Sequence, residues 1–119
     1  MKVSYQNNRY AFAHPYGLAN AVTFPGHSGV IVFTNAWVNS DKRNQGLGSL
    51  YHRERLAWAR GYGFVTAICT VNIDNTAQIK LLTFLGWTRV GHIIPCTDCE
   101  TESQLWMKDL SRPDEPLTV

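Results

Sequence analysis

Charge is scarce in this 119-residue chain: only 17% of residues are Asp, Glu, Lys or Arg, below the quarter usual for a globular domain, and no segment gathers them into a run. A formal charge of +2 spread along the sequence does not read as a nucleic-acid footprint, although it suits a small anionic ligand. Long apolar stretches are also missing, so no segment has the length needed to span a bilayer and no membrane partner is expected. The start, Met1-Lys2-Val3-Ser4-Tyr5-Gln6-Asn7-Asn8, lacks the apolar core of a signal peptide, and a cytoplasmic location is the expectation. Cysteine is few and odd in number. Cys69, Cys96 and Cys99 fit reduced thiols better than a disulfide framework. Cys96-x-x-Cys99 with His92 supplies two thiols and one imidazole, short of a closed four-ligand shell, and no second Cys/His pair completes it; no metal is expected.

Apolar residues are plentiful. They make up 45% of the chain, with four Trp, five Tyr and five Phe, enough for one folded domain with a real core. Residues 1–110 read as that domain and residues 111–119, with two prolines, as a tail. The low charge leaves apolar surface for an acceptor or for a second copy of the chain as a homodimer.

Val3 to Phe24 mixes short β-rich pieces, Tyr10 to Ala13 and Ala21 to Phe24, with turn signals at Asn7-Asn8, His14-Pro15, Gly17 and Pro25-Gly26, predicting two or three short strands. Gly29 to Asn39, rich in Val, Ile, Phe, Thr and Trp, predicts a central strand. Leu47 to Arg60 has helical spacing at Leu47, Leu50, Tyr51, Ala57 and Trp58. That spacing puts His52, Arg53 and Arg55 toward solvent and Gly61 at the C′ position. Phe64 to Val71 predicts a buried strand parallel to the earlier one, as a βαβ unit requires. A second helix follows, capped by Asp74, with a core stripe of Ala77, Leu81 and Leu85, Ile79 and Leu82 beside it, and Gly86 at its end. Trp87 to Pro95 and Ser103 to Leu110 predict an antiparallel pair joined by a polar loop from Cys96 to Glu102. The four tryptophans read as core or interface aromatics rather than a stacking platform.

The chemistry concentrates where the central strand meets the first helix. Arg43-x-x-Gly46-x-Gly48 places two glycines where backbone amides can crowd an anion, beneath them starts a helix whose free N–H groups point the same way, and Arg43 adds a forked donor at the rim. A phosphate-bearing ligand is the natural occupant, although an ordinary strand-to-helix turn has the same residues. A dinucleotide fold is disfavoured because Tyr51 stands at the third-glycine place, and no Gly-Lys-Ser/Thr is present for a P-loop; a nucleotide-binding regulator is therefore the weakest reading.

Two segments resemble the GNAT superfamily of acyl-CoA-dependent N-acetyltransferases. The first is Val38, Ser40 where the family has proline, Arg43, Gly46 and Gly48; the second is Asn75, Leu81, Gly86 and Trp87, which match the family's Asn-x-x-Ala-x-x-Leu-Tyr-x-x-x-Gly-Phe spacing. Together they cover roughly residues 30 to 95. The resemblance implies an α/β (α+β) GNAT fold: a mixed, mostly antiparallel sheet with a central splayed parallel pair and flanking helices, the N-terminal helices short or absent. It implies acetyl-CoA as co-substrate, its pantetheine arm along the strand near Trp37 and Val38, its diphosphate on the amides of Gln45, Gly46, Leu47, Gly48 and Ser49 beside Arg43 and Asn44, and Asn75 bonding the pantetheine chain. It implies an N–H near Val38 that polarises the thioester carbonyl.

The same resemblance implies direct attack by an amine, which needs a base for the ammonium and an acid for the thiolate. The family's tyrosine acid falls on Leu82 and its alanine on Gln78. The thiolate then leaves unaided or through water, or takes a proton from another donor such as Tyr51 or a residue of the C-terminal strands. For the base, the central strand offers only Thr34, Asn35 and Asn39. His14, His27, His52, His92, Asp41 and Glu54 are the titratable candidates, His27 and His14 first because the N-terminal segment should border the acceptor cleft. With no helical periodicity before the motif strand, the acceptor side should be open, suited to a protein lysine or N-terminus, or closed by a second subunit, and less suited to a deeply enclosed metabolite. A non-catalytic acyl-CoA-binding module is the alternative.

Overall fold

The computed structural model describes residues 1–93 and 102–112. Its single seven-stranded sheet comprises β1 (Lys2–Gln6), β2 (Arg9–His14), β3 (Gly17–Phe24), β4 (His27–Val38), β5 (Thr66–Asn72), β6 (Thr88–Ile93) and β7 (Ser103–Asp109), in the order β1-β2-β3-β4-β5-β7-β6. Among the described strands only β4 and β5 run parallel, joined across helix α1 (Leu47–Tyr62); helix α2 (Thr76–Phe84) links β5 to β6. The expected βαβ unit and mixed sheet are both present, and among the described residues no helix precedes β4. Among the described residues no helix is long and apolar enough to cross a membrane. The polar loop from Cys96, both of its cysteines and most of the tail lie outside the described residues.

Local chemistry explains the turns. Asn7 and Asn8 both take positive φ (55° and 61°), the primed hairpin geometry that pairs Gln6 with Arg9 and adds β1, a strand whose exposed residues gave no alternation to read. Pro25 and Gly26 (φ 79°) close the β3–β4 hairpin. Two helix boundaries differ from expectation. Gly61 lies inside α1, and Gly63, at φ 105°, is the residue that ends it. Asn75, not Asp74, caps α2, its Oδ1 accepting from Gln78 N at 3.2 Å.

The core is one continuous cluster. Phe12, Ala19, Ala21, Ile31, Ala67, Cys69 and Val71 project from one face of the sheet to meet Leu56 and Ala59 of α1 and Leu82 and Leu85 of α2. Small alanines on β3 and β5 leave room for the helices to seat closely. On α2 the expected stripe is rotated: Ala77 is exposed, while Leu82 and Leu85 are buried with Ile79 and Leu81 half-buried. On α1 the inward face is Tyr51, His52, Arg55, Leu56 and Ala59, so His52 and Arg55 are buried rather than solvent-facing, and Leu50 is exposed.

Candidate active site

The cleft exists because β4 and β5 part company. Their ladder runs from Val30 opposite Thr66 to Phe33 opposite Cys69 and stops, although β4 continues to Val38 and β5 to Asn72. The cause sits on β4's other side, where a register shift between Leu18 and Asn20 inserts an extra β4 residue and Asn35 takes φ 46°. Such a bulge bends the strand and leaves the edge beyond it without its β5 partner. Beyond the bulge β4 still holds to β3, Leu18 opposite Trp37 and Gly17 opposite Val38.

Two lobes occupy the gap, of about 460 and 470 Å³, and they share Ala36, Arg55, Asn75 and Gln78. The first is walled by Phe33, Thr34 and Asn35 of β4, by Cys69 to Asn72 of β5 and by His52 of α1. Trp37, Val38, Arg43, Asn44, Gly48, Tyr51 and Leu81 line the second, which leads to the glycine turn. In that turn Asn44 (φ 62°) and Gly46 (φ 79°) are both left-handed, the alternation that turns successive amides toward a common point. The first hydrogen bond of α1 runs from Leu50 N to Gly46 O at 3.1 Å, so the amides of Leu47, Gly48 and Ser49 precede the helical ladder. A Cβ built at Gly46 or Gly48 meets nothing within 4 Å, which leaves the approach to those amides open. The residues present therefore fit a diphosphate. Arg43 braces the turn, its Nε donating to Val38 O at 3.0 Å.

The sequence candidates divide. Trp37, Val38, Arg43, Asn44, Gly48, Tyr51 and Asn75 all line the cleft, and Gln45, Gly46, Leu47 and Ser49 belong to its turn. Asn75 spends its Oδ1 on the α2 cap, which leaves its Nδ2 to donate. The Tyr51 hydroxyl, buried, accepts from Tyr16 N at 3.3 Å and retains its own hydrogen to give. His27 does not join them. It opens β4 at the end opposite the splay, exposed and beside Phe24 in the hairpin. His14 is buried behind the cleft wall, its ring stacked on Tyr51 at 4.1 Å, with Nε2 3.1 Å from Arg55 Nη1 and Nδ1 3.8 Å from Glu54 Oε2. Burial, then the neighbouring Arg55 charge, holds its pKa below the ordinary histidine value. A neutral imidazole accepting from arginine has spent the lone pair that a base would use, so the expectation that His14 borders the acceptor is corrected to a place behind Arg55.

Two cleft residues, His52 and Arg55, were misplaced by the sequence reading. His52 Nε2 accepts from Trp87 Nε1 at 2.9 Å. Arg55 is 6% exposed, and burial brings its pKa down to about 10. The signal for both lay in the i, i+4 spacing from Tyr51 and Arg55 to the fully buried Ala59, a better register than one drawn through Leu50. Leu82, at the family's tyrosine place, is completely buried in the core and presents nothing to the cleft. Cys69 lines the first lobe, but burial pushes its thiol up to about 12, which leaves it an unreactive wall.

Solved structures share this architecture. The ribosomal-protein-S18-alanine N-acetyltransferase of Escherichia coli superposes with a TM-score of 0.74 at 19% identity, over 96% of this chain and 77% of that one. A spermidine N-acetyltransferase chimera from Vibrio cholerae gives 0.76 at 12%, over 89% and 69%, and a Bacillus acetyltransferase in complex with CoA gives 0.69 at 13%, over 85% and 75%. Likeness at these identities carries the fold alone. No curated protein sequence matches the chain. The family model described as the acetyltransferase (GNAT) family matches residues 6–87, through both the glycine turn and the head of α2. Because the match spans more than half of the sequence and both walls of the cleft, this chain belongs to the GNAT acetyltransferase family.

Proposed function

We propose that the chain is an N-acetyltransferase that carries an acetyl group from acetyl-CoA to a primary amine by direct attack within a ternary complex. One observation supports this above the others: the unpaired edge of β4 runs straight into a turn of open, forward-pointing amides. The amides of Gln45, Gly46, Leu47, Gly48 and Ser49 take the diphosphate at the positive end of α1, with Arg43 and Asn44 at the rim. The pantetheine arm lies against Trp37 and Val38 as an added strand, with Asn75 Nδ2 donating from the facing wall.

At the join of the lobes the amine nitrogen attacks the thioester carbonyl carbon; the C–N bond forms as the C–S bond breaks. An N–H of the β4 edge near Val38 receives the developing negative charge on oxygen. Tyr51 gives its hydroxyl proton to the departing thiolate and regains one, by way of water, from the acylated nitrogen, which must shed its extra proton to become the amide. No carboxylate lines either lobe among the described residues, so the ammonium loses its proton to water before attack. Among the described residues the helical wall of the first lobe comes from α1 and α2 alone, which suits an amine presented by a protein, a lysine or an N-terminus.

Release of free CoA thiol from acetyl-CoA with a panel of amines and peptides tests this reading. A second reading, an acyl-CoA-binding module without turnover, draws on the core placement of Leu82 and the absence of a cleft carboxylate. Tight acetyl-CoA binding with no thiol release over the whole panel would favour it.

A further inference from the structure

Arg55 has more hydrogen-bonding capacity and charge than its surroundings use. It is 94% covered, lines both lobes, and stands at their join. Its side-chain contact is Nη1 with His14 Nε2, an uncharged acceptor, and it forms no ion pair within 4 Å among the described residues. Glu54, its sequence neighbour, acts on it only through space and faces His14 and the N-terminal amine instead. No carboxylate faces it there: the other polar groups of the first lobe are the neutral Thr34, Asn35, Thr70, Asn72, Asn75 and Gln78, together with His52, which brings no negative charge. A guanidinium taken out of water without a counter-ion is costly by several kcal/mol, and folds keep such a group where something else supplies the anion. Burial lowers its pKa only to about 10, so it stays cationic at neutral pH.

Resting on the acetyl-CoA reading above, we propose that the cleft selects a carboxylate carried by one of its two substrates, with Arg55 as the specificity-determining residue. With Nη1 turned to His14, Nη2 and Nε remain for a forked pair of bonds to a carboxylate. His14, stacked on Tyr51, is the positioning residue that fixes the guanidinium plane. The carboxylate has two sources: the acyl chain of a dicarboxylic thioester, or an acidic group beside the acceptor amine. A polycationic amine is disfavoured in either case by Arg55's own charge.

The test uses the full chain. The donor arm compares succinyl-CoA with acetyl-CoA, by calorimetric binding and by thiol release with one common amine. The acceptor arm uses acetyl-CoA with peptide pairs that differ only by Asp or Asn next to the N-terminal amine. The acidic member should lead by about tenfold or more in one arm, as a charge-assisted pair implies. Arg55→Met should reduce that ratio to about twofold or less, and Arg55→Lys, which keeps the charge but not the fork, should leave it between that of Met and that of the wild type. A purely structural arginine would lower both members of a pair alike and leave the ratio unchanged, and that result overturns the proposal. Equal treatment of both members by the wild type in both arms overturns it too, with the cofactor reading intact if acetyl-CoA still binds. Absence of any acetyl-CoA binding overturns both.

Discussion

Gly17→Ala is the substitution through which fold and site are most directly coupled. Gly17 is buried on β3 opposite Val38, and a Cβ there would stand 2.4 Å from the carbonyl oxygen of Trp37 and 3.3 Å from the Val38 Cα. The obstacle is backbone, so no side-chain rotation relieves it. The end of β4 must retreat by about 1 Å to restore ordinary contact, in a region packed to interior density. Overpacking of this kind costs about 1–3 kcal/mol. For a domain of this size that lowers the melting temperature by about 4–12 °C. The displaced segment, Trp37 and Val38, is also the wall along which pantetheine is proposed to lie, so acetyl-CoA affinity should fall together with stability. Gly61→Ala provides the opposite sign: it lies within α1, has ordinary φ, and its Cβ meets nothing within 4 Å. Alanine there should stabilise by about 0.5–1 kcal/mol and leave binding unchanged. Thermal melts and calorimetric titration of the two variants decide the matter. Equal melting temperatures and equal affinities for Gly17→Ala and the wild type would refute the close approach of β3 to β4.

Gly46→Ala forces a side chain into φ 79° without any clash, so its cost of about 1–2 kcal/mol is conformational and should appear as a lower melting temperature with weaker acetyl-CoA binding. Tyr51→Phe keeps the ring on His14 but removes the proton donor, and kcat should drop by about tenfold to a hundredfold with KM for acetyl-CoA little changed in steady-state thiol release. His14 has a folded pKa below its unfolded value, so its contribution to stability is complete above about pH 6.5 and is lost as pH falls through the lowered folded value. Melts of the wild type should therefore show an acid-side decline that His14→Gln flattens.

The parts of the fold written in local chemistry were legible. The β-rich piece from Tyr10 to Ala13 marks β2, the β-branched and aromatic run from Gly29 marks β4, and Arg43-x-x-Gly46-x-Gly48 marks the turn. Tertiary effects were hidden. Helical boundaries moved to Gly63 and Asn75 because several glycines and polar residues competed for each cap and only packing chose among them. Arg55 read as a solvent residue because charge is ordinarily outside; its burial follows from the register set by Tyr51 and Ala59. The bulge at Asn35, which opens the cleft, has no residue signature beyond an asparagine that tolerates positive φ. His27 was ranked by chain position, and the topology places it at the wrong end of β4.

Calorimetric titration of the full chain with CoA and with pantetheine most directly tests whether the amides at the head of α1 hold a diphosphate. CoA should bind in the micromolar range, and pantetheine, which lacks the diphosphate, about a hundredfold or more weaker, since several charge-assisted bonds are lost. No heat with CoA at millimolar concentration, or equal affinity for the two, would contradict the account.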